Sequence, residues 1–458
     1  MTQTALYRTL NPADGELVEN YPTAADAAVE SALARAGRAS AAWRATPLER
    51  RARTLTRAAD LLDAQAADLG GLMALEMGKP AAQGEAEAKK CAWACRWYAE
   101  SAASLLAPQP RESDGSAAFV RHDPLGPILA IMPWNFPFWQ FFRFAAPSLM
   151  AGNVILLKHA PNTPGCGLRI EKLMTEAGFP EGVVQNLFLT NEQAARVIAD
   201  SRVRGVTLTG STRAGREVAS IAGRHLKTMV MELGGSDAFI VLADADVDRA
   251  AEVGVTARCL NTGQSCIAAK RFLVERSVFA RFRDAFVEGM RRRVTGDPRD
   301  PKTTLGPMAR LDLRDQLAAQ VDASVAGGAE AVLGGKRPGT PGFFYPATVL
   351  LGARPGTPAA DEELFGPAAS LVPVADEEEA LTVANASSYG LGASLWTADR
   401  ARAERLVPRI ETGSVFVNGL VKSDPRLPFG GVKDSGFGRE LGREGLLEFV
   451  NVKTVWIA

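Results

Sequence analysis

Apolar positions along the chain follow two spacings, one typical of helices and one typical of buried strands. After short strand and turn signals at 7–21, long stretches with helical spacing cover 23–43, 47–77 and 81–106. We expect a break in the second stretch at Gly70-Gly71, and Gly78-Lys79-Pro80 is a typical helix stop. The first quarter of the chain is therefore predicted to be mainly helical.

Residues 107–132 carry a different pattern. Residues 107–116 are loop-like, and two apolar runs, Ala117–His122 and Pro127–Met132, flank Asp123-Pro124-Leu125-Gly126. Two β-like runs around a short Gly-containing turn predict a hairpin. A helical stretch is expected from just after Asn135 to Met150.

From residue 154 onward, short apolar runs alternate with helical patterns. The predicted strands are Val154–Lys158, Val183–Leu189, Gly205–Leu208, Thr228–Glu232 and Ala238–Val241, and the intervening helices are Pro164–Ala177, Glu192–Ala199 and Thr212–Gly223. A second alternation covers about 246–417, with helices near 246–260, 276–293, 309–327, 376–386 and 398–408. This alternation predicts parallel sheets covered by helices, and 458 residues exceed one ordinary core.

Composition narrows the class of protein. Hydrophobic residues make up 47% of the chain, and 52 Lys+Arg balance 52 Asp+Glu, so no basic surface indicates nucleic acid binding. No apolar run is long enough for a membrane span, and the start of the chain lacks the features of a secretory signal. We expect a cytoplasmic protein. The sticky apolar run 448–457 is interpreted as a strand that completes a sheet with a partner subunit.

The five cysteines do not indicate a disulfide framework, because their number is odd and their density is low. Cys91 and Cys95 share a probable helix face, but no nearby histidine completes a zinc site, so no metal site is expected. Cys259 is interpreted as helix packing. The three histidines, His122, His159 and His225, lack a recognisable catalytic context, although sequence distance alone does not exclude a cysteine–histidine pair.

The strongest candidate for chemistry is Cys266, which ends the stretch Asn261-Thr262-Gly263-Gln264-Ser265-Cys266. Amide and hydroxyl side chains can supply hydrogen bonds near a thiol, and glycine allows the backbone to approach a ligand. Free cysteine is also among the most buried residue types, so this pattern alone equally permits a packing role.

Other motifs occur in a definite order around this stretch. They are Pro133-Trp134-Asn135-Phe136-Pro137, Met231-Glu232-Leu233-Gly234-Gly235, Glu363-Leu364-Phe365-Gly366-Pro367 and Pro428-Phe429-Gly430-Gly431-Val432-Lys433. Together with the cysteine stretch they resemble the aldehyde dehydrogenase superfamily from Asn11-Pro12 to the C-terminus. The resemblance implies an α/β fold with two Rossmann-like parallel-sheet domains and a small β oligomerisation arm. The expected cofactor domain comprises 1–106 and 125–234, the catalytic domain 235–434, and the arm 107–124 and 435–458.

The resemblance also implies a catalytic set. Cys266 would attack the aldehyde carbon, while the Asn135 amide and the backbone N–H of Cys266 hold the oxyanion of the thiohemiacetal. After hydride transfer, Glu232 would activate water to hydrolyse the thioester. A carboxylate base suits a chain with few histidines.

Cofactor residues are implied in the same way: Pro133, Trp134, Lys158, Pro161, Gly210, Ser211, Leu233, Glu363 and Phe365. The run Leu208–Gly215 follows a strand and opens a helix, and an N-terminus of this kind can hold phosphate. At Pro161, NAD-preferring members often carry a glutamate that repels a 2′-phosphate. Its absence here makes NADP acceptable without demanding it, so we expect use of both NAD and NADP.

The predicted substrate contacts are Arg143, Trp139 and Ser423. Arg143 and Ser423 match residues that bind the substrate carboxylate in succinate-semialdehyde dehydrogenases, and the chain most resembles a bacterial NAD(P)-dependent subgroup of these enzymes. The second arginine of that group is Leu260 here, so the carboxylate contact is weaker or built differently, with Arg426 or Lys422 as candidates.

We therefore expect oxidation of a small aldehyde, with succinate semialdehyde as the first candidate, by a homodimer or homotetramer. Oxidation of another small aliphatic aldehyde is the nearest alternative. A cysteine hydrolase or acyltransferase would share Cys266 without needing a nicotinamide cofactor. A non-catalytic scaffold is disfavoured, because it has no physical need of Asn135, Glu232, Cys266 and Glu363 together.

Overall fold

The computed structural model describes residues 6–458. Its helices are α1 (Asp26–Ala45), α2 (Leu48–Ala64), α3 (Ala66–Met77), α4 (Ala81–Leu105), α5 (Trp139–Ala151), α6 (Pro164–Glu176), α7 (Asn191–Ala199), α8 (Thr212–Arg224), α9 (Val247–Cys259), α10 (Arg276–Arg291), α11 (Leu311–Ala326), α12 (Pro358–Asp361), α13 (Glu377–Asn385), α14 (Arg400–Leu406) and α15 (Gly442–Leu447). Two short 3-10 helices cover Leu260–Gly263 and Val407–Arg409. None of these helices is long and apolar enough to cross a membrane.

The strands form two large and three small sheets. They are β1 (Tyr7–Leu10), β2 (Leu17–Tyr21), β3 (Gln109–Pro110), β4 (Ala117–Pro124), β5 (Pro127–Ile131), β6 (Val154–Lys158), β7 (Val184–Asn186), β8 (Gly205–Thr209), β9 (Thr228–Glu232), β10 (Ala238–Val241), β11 (Arg271–Glu275), β12 (Glu330–Leu333), β13 (Thr348–Leu351), β14 (Ala368–Val374), β15 (Tyr389–Gly390), β16 (Gly392–Trp396), β17 (Ser414–Val417), β18 (Val432–Lys433), β19 (Gly436–Phe437) and β20 (Val450–Ile457).

The first large sheet has the order β19-β9-β8-β5-β6-β7 and is parallel except for β19. The second has the order β12-β13-β14-β11-β10-β16-β17 and is parallel except for β12. Buried apolar strands with helices between them explain both sheets, since a parallel sheet needs both faces covered. The predicted α/β class with two parallel-sheet cores is confirmed.

The predicted hairpin of 117–122 with 127–132 is wrong. β5 lies inside the first large sheet, parallel to β6 and β8, while β4 leaves that sheet and pairs antiparallel with β20 and β3. The cause is physical: β5 is fully apolar and buried as a central parallel strand requires, whereas β4 is only partly buried.

The predicted C-terminal strand is present as β20, and its partner within the chain is β4, from Val450↔Pro124 to Ile457↔Ala117. β20 is an edge strand that carries exposed Val452, Trp456 and Ile457. Pairing with a partner subunit therefore remains a prediction for the edge that β4 does not occupy.

Gly70-Gly71 does not break the second predicted helix. The break lies at Gln65, and both glycines are inside α3. A Cβ on Gly70 would lie 2.7 Å from the carbonyl oxygen of Ala81, and a Cβ on Gly84 would lie 2.8 Å from the Cα of Gly70. These glycines thus allow α3 and α4 to pack closely. The stop after Met77 is confirmed, because Gly78 adopts φ 74°.

Candidate active site

Four predicted residues meet at one edge of the first large sheet. Asn135 follows β5, Lys158 ends β6, Gly210 follows β8, and Glu232 ends β9. The strands are neighbours in register, with Ile131 opposite both Lys158 and Leu208, and Thr209 opposite Glu232. Parallel strands bring their carboxyl ends to the same edge, which is the usual ligand site of such sheets.

The second large sheet faces this edge with the segments that precede its strands. Cys266 lies before β11, and Glu363 and Phe365 lie before β14. Gly235, which precedes β10, is required to be small, because a Cβ there would lie 2.6 Å from the carbonyl oxygen of Cys266. The candidate active site is therefore built between the two large sheets.

The segment before Cys266 has an unusual backbone. Asn261, Thr262 and Gly263 have φ values of 55°, 56° and 73°, so three consecutive residues adopt the left-handed conformation. This conformation is costly for residues other than glycine and persists only where surrounding contacts enforce it. Here the Asn261 side chain donates to the carbonyl oxygens of Asn135 (2.7 Å) and Gln264 (3.1 Å).

Sequence reasoning missed two buried cations, Lys270 and Arg258. They hold the segment 261–269 around Cys266, called the cysteine loop below. Lys270 Nζ donates to the carbonyl oxygens of Ser265 (2.9 Å), Cys266 (2.7 Å) and Ala268 (3.1 Å). Arg258 donates to the carbonyl oxygens of Gly263 (2.5 Å) and Ala269 (3.1 Å). The local sequence does not indicate their burial, since Lys270 is followed directly by a second basic residue, Arg271.

The oxyanion donors predicted from sequence lie close together. The Asn135 side-chain nitrogen donates to the carbonyl oxygen of Gln264 at 3.1 Å, and an amide NH₂ has a second N–H to offer. Within residues 6–458, no acceptor takes the backbone N–H of Cys266. This arrangement leaves two donors beside the thiol for an oxygen of a ligand.

Glu232 is buried in a cluster with Arg143 and Glu440. Arg143 Nη2 lies 3.9 Å from Glu232 Oε2, and the Arg143 guanidinium forms an ion pair with Glu440. Burial raises the pKa of Glu232 to about 8; Arg143 opposes this shift and Glu440 adds to it. Glu232 is therefore suited to accept a proton near neutral to mildly alkaline pH.

The thiol of Cys266 is half-buried at this site. Burial raises the pKa of Cys266 to about 12, Glu232 adds to the shift, and Arg143 and Lys270 oppose it. The resting thiol is thus protonated at neutral pH. Nucleophilic chemistry at this sulfur requires transfer of its proton when a reactant is bound.

Cys266 and Asn135 line a cleft of about 720 Å³, which is within the range of small-molecule sites. All nine residues expected to bind the cofactor line the same cleft: Pro133, Trp134, Lys158, Pro161, Gly210, Ser211, Leu233, Glu363 and Phe365. Residues separated by more than 200 positions in the chain therefore share one cavity with the thiol.

The N-terminus of α8 makes part of the cleft suitable for binding a dinucleotide. Ser211 caps this helix by accepting the N–H of Ala214 (3.3 Å), and Gly210 leaves the approach to the helix N-terminus open. Lys158 is buried, burial lowers its pKa to about 8, and no carboxylate among the described residues pairs with it. A helix N-terminus and an unpaired ammonium both favour phosphate groups.

Glu363 and Phe365 line the same cleft as Cys266. Glu363 Oε1 accepts the N–H of Gly235 at 3.0 Å and lies 3.6 Å from Lys270 Nζ. The ring of Phe365 packs edge-on against Trp134, with centroids 5.8 Å apart. These groups can hold a polar sugar and a flat ring next to Cys266.

The three predicted substrate residues lie in two groups. Trp139 and Ser423 are buried, and both contact Lys90, a residue that sequence reasoning missed. Lys90 Nζ lies 4.3 Å from the centre of the Trp139 ring and donates to Ser423 Oγ at 2.8 Å. Arg143, one turn after Trp139 on α5, instead faces Glu232, Glu440 and the ring of Phe429. Its predicted contact with a substrate carboxylate stays a prediction.

The histidines give no support to a cysteine–histidine pair. His159 lines the cleft, but its ring nitrogens contact the carbonyl oxygen of Pro137 (2.9 Å), the N–H of Ala160 (2.9 Å) and Thr163 Oγ1 (2.9 Å). Burial lowers its pKa to about 4, so the ring is neutral and held by the backbone. The candidate base in this cluster is therefore the carboxyl group of Glu232, as the sequence predicts.

Comparison with known proteins agrees with this geometry. The model of the aldehyde dehydrogenase family matches residues 1–455. A Mycobacterium bovis protein named succinate-semialdehyde dehydrogenase (NADP+) 1 is 49% identical over 98% of this chain and 99% of its own length. A Synechocystis protein named probable succinate-semialdehyde dehydrogenase (NADP+) is 48% identical over 98% of this chain and 99% of its own length.

A solved structure of succinic semialdehyde dehydrogenase from Streptococcus pyogenes, in complex with NADP+, superposes with a TM-score of 0.96. It is 38% identical and covers 98% of this chain and 99% of its own. An amide, Asn135, and a thiol, Cys266, line one cleft, as the family resemblance implies. From the match to the family model and to relatives, the chain belongs to the aldehyde dehydrogenase family.

Proposed function

We propose that this protein oxidises succinate semialdehyde to succinate with NADP or NAD as electron acceptor. The observation that carries the proposal is the single cleft shared by Cys266, Asn135 and the nine cofactor-type residues. The names of relatives that are 48–49% identical over nearly the full chain support the substrate class. Relatives are named for NADP, and the NADP complex of the streptococcal structure supports the same cofactor class.

The reaction begins at Cys266. Its thiol proton passes to solvent water, its sulfur forms a bond to the aldehyde carbon, and the carbonyl oxygen takes the electron pair of the carbon–oxygen π bond and becomes an oxyanion. Asn135 and the N–H of Cys266 are available to hold this oxyanion, and one such donor contributes about 10²–10³ in rate. The positive charges of Arg143 and Lys270 oppose the high pKa of the thiol and so favour its ionisation.

A bound nicotinamide cofactor supplies the two-electron acceptor for the adduct. The acyl group then remains on Cys266 as a thioester. Glu232 removes a proton from water, the hydroxide oxygen bonds to the acyl carbon, and the carbon–sulfur bond breaks to release the carboxylate. The raised pKa of Glu232, about 8, suits a base that must both take and return this proton.

The cofactor preference is proposed from Lys158 and Pro161. Lys158 is a buried ammonium without a carboxylate partner among the described residues, and position 161 carries no acidic group to repel a 2′-phosphate. Pro161 supplies no donor for that phosphate either, so NAD remains acceptable. We therefore propose use of both cofactors, with NADP preferred.

We further propose a homodimer or homotetramer assembled through the small sheet of β3, β4 and β20. The edge strand β20 exposes Val452, Trp456 and Ile457, a row that a second subunit would cover. The division into a cofactor part, a catalytic part and this arm, and the cytoplasmic location, stay predictions from the sequence.

Initial rates of cofactor reduction test the function. Succinate semialdehyde and the uncharged aldehyde butanal are compared, each with NADP and with NAD. We expect a kcat/KM for succinate semialdehyde at least about tenfold above that for butanal, since one charge-assisted contact contributes that much. Equal rates would keep the dehydrogenase and reject the substrate. Ester hydrolysis without any cofactor reduction would favour the cysteine hydrolase.

A further inference from the structure

We propose that Lys90 is the second cation of the substrate site and binds the carboxylate end of the aldehyde substrate where the related enzymes use the arginine that is Leu260 here. The inference rests on the proposed function and deepens it. Lys90 would determine which aldehyde is accepted, while Cys266, Asn135 and Glu232 carry out the chemistry.

One face of α4 lies along the active site. Gln83 Oε1 accepts the N–H of Asn261 at 2.7 Å, so the start of this face touches the cysteine loop. Glu87 Oε1, one turn later, accepts the N–H groups of Phe138 (3.0 Å) and Trp139 (2.9 Å) at the start of α5. Lys90 is the next residue on this face, because positions i, i+4 and i+7 align on a helix.

Lys90 meets the two residues that resemble substrate contacts. Its ammonium donates to Ser423 Oγ at 2.8 Å and lies 4.3 Å from the centre of the Trp139 ring. No carboxylate in residues 6–458 forms an ion pair with it. An ammonium whose contacts are a neutral hydroxyl and an aromatic face lacks an anionic partner, which a substrate carboxylate would supply.

The position of Leu260 also supports this role of Lys90. It is 39% exposed, and its neighbour Asn261 is the residue that hydrogen-bonds Gln83 of α4. The position that lacks the arginine therefore lies next to the α4 face that provides Lys90. Compared with the related enzymes, this chain lacks the cation at position 260 and has a cation, Lys90, on the adjoining wall of the site.

The other basic candidates are occupied or point outward. Arg426 forms an ion pair with Asp424 at 2.6 Å, and its side chain is 62% exposed. Lys422 is exposed. Among these basic residues near Ser423, Lys90 is partly buried and has no carboxylate partner in the described part of the chain.

The surroundings of Lys90 also predict a pH signature. Burial lowers its pKa to about 8, and Arg143 of α5 adds to this shift. Glu87 and Cys91 on α4, and Asp424 of the neighbouring loop, oppose it. The ammonium is therefore charged below about pH 8 and loses its charge above it, while a substrate carboxylate stays ionised throughout.

The test compares Lys90→Met with Lys89→Met, an exposed neighbour on the same helix that pairs with Glu85. For Lys90→Met we expect kcat/KM with succinate semialdehyde to fall by about 10- to 100-fold, as loss of a charge-assisted contact predicts, and kcat/KM with butanal to stay within about twofold. Lys89→Met should change neither. A parallel fall with both aldehydes, or no fall with either, would overturn the proposal.

A pH series provides a second measurement. Its result would not change with Lys90→Met if the role of Lys90 were purely structural. In the unchanged protein, the ratio of kcat/KM for succinate semialdehyde to that for butanal should decline above about pH 8, and Lys90→Met should abolish this decline. A ratio that is constant with pH would contradict the role of Lys90. Absence of any preference in the unchanged protein would instead reject the proposed substrate, so the two failures are distinguishable.

Discussion

Arg143 Nη2 lies 3.9 Å from Glu232 Oε2 in a pocket where both side chains are buried. The same guanidinium pairs with Glu440, so one cation compensates two carboxyl groups. This shared compensation, together with burial, accounts for a pKa of Glu232 near 8 rather than near its ordinary value. Arg143 therefore adjusts the proposed base whether or not it also touches the substrate.

The first prediction concerns Arg143→Gln with butanal as substrate. Loss of the positive charge raises the pKa of Glu232 further, so the fraction of ionised base at pH 7 falls about tenfold for each pKa unit. We expect the rising limb of kcat against pH, near pH 8 in the unchanged protein, to move to higher pH. Butanal is chosen because it has no carboxylate, so loss of a contact with a substrate carboxylate cannot contribute to the effect.

A different result would separate the two roles of Arg143. If Arg143→Gln left the pH profile with butanal unchanged and weakened only succinate semialdehyde, the guanidinium would be a substrate contact, as the sequence predicts, and would not adjust Glu232. Thermal unfolding of the variant is the control, because removing one partner of a buried pair costs about 3–5 kcal/mol.

The second prediction concerns cofactor choice. Pro161→Glu places a carboxylate on the wall of the cleft that Lys158 also lines. We expect KM for NADP to rise by at least about tenfold, because like charges repel, while KM for NAD changes little or improves. The rates are measured with a single saturating aldehyde. Unchanged discrimination would mean that the 2′-phosphate lies away from position 161.

The third prediction concerns Lys270, whose ammonium donates to three carbonyl groups of the cysteine loop. Lys270→Met leaves these buried carbonyl groups without a donor and Glu363 without its cation. We expect the unfolding temperature to fall by about 3–5 °C. Lys302→Met, at an exposed position, is the matched control. A Lys270 variant as stable as the control would show that the segment around Cys266 does not depend on this ammonium.

The fourth prediction follows from Leu260. In a Lys90→Met background, Leu260→Arg returns a cation to the adjoining wall of the substrate site. We expect the preference for succinate semialdehyde over butanal to recover by about tenfold, the contribution of one charged hydrogen bond. If the double variant has the same ratio of kcat/KM for succinate semialdehyde to that for butanal as Lys90→Met has, the two positions do not serve the same carboxylate.

The strands that carry the site were predictable from the sequence. Val154–Lys158 and Thr228–Glu232 have the predicted bounds. The first is a short apolar run that is buried throughout, as a central parallel strand requires, and the second is buried over its last three residues, which lead to the site. Once each strand end is known, parallel pairing brings Lys158 and Glu232 to one edge. The nine cofactor-type residues could be named through the resemblance, and the structure brings all of them to one cleft.

Pairing between distant segments was not predictable in the same way. The run 117–132 contains two β-like segments and a turn, and nothing local indicates that the first pairs with Val450–Ile457, more than 300 residues away. The predicted helix break at Gly70 was wrong for the same reason. Its small size serves contact with α4 rather than a helix break, and an interhelical contact leaves no local sequence signal.

Lys90 and Lys270 show a further limit of sequence reasoning. Lys90 is one of two adjacent lysines on a long helix, and only the packing of α4 tells which of them is buried. Lys270 lies four residues after Cys266, but its role depends on the fold of the intervening loop. Charged residues are usually solvated, so a buried one becomes visible only when its neighbours in space are known.

The most direct test of the account is the mass of Glu232→Gln after mixing with succinate semialdehyde and NADP. Without the base, thioester hydrolysis should stall. We predict at most one equivalent of reduced cofactor per active site and a mass increase of one succinyl group on the peptide that contains Cys266. Sustained turnover, or a stalled enzyme with Cys266 unmodified, would contradict the assignment of Cys266 as nucleophile and Glu232 as base.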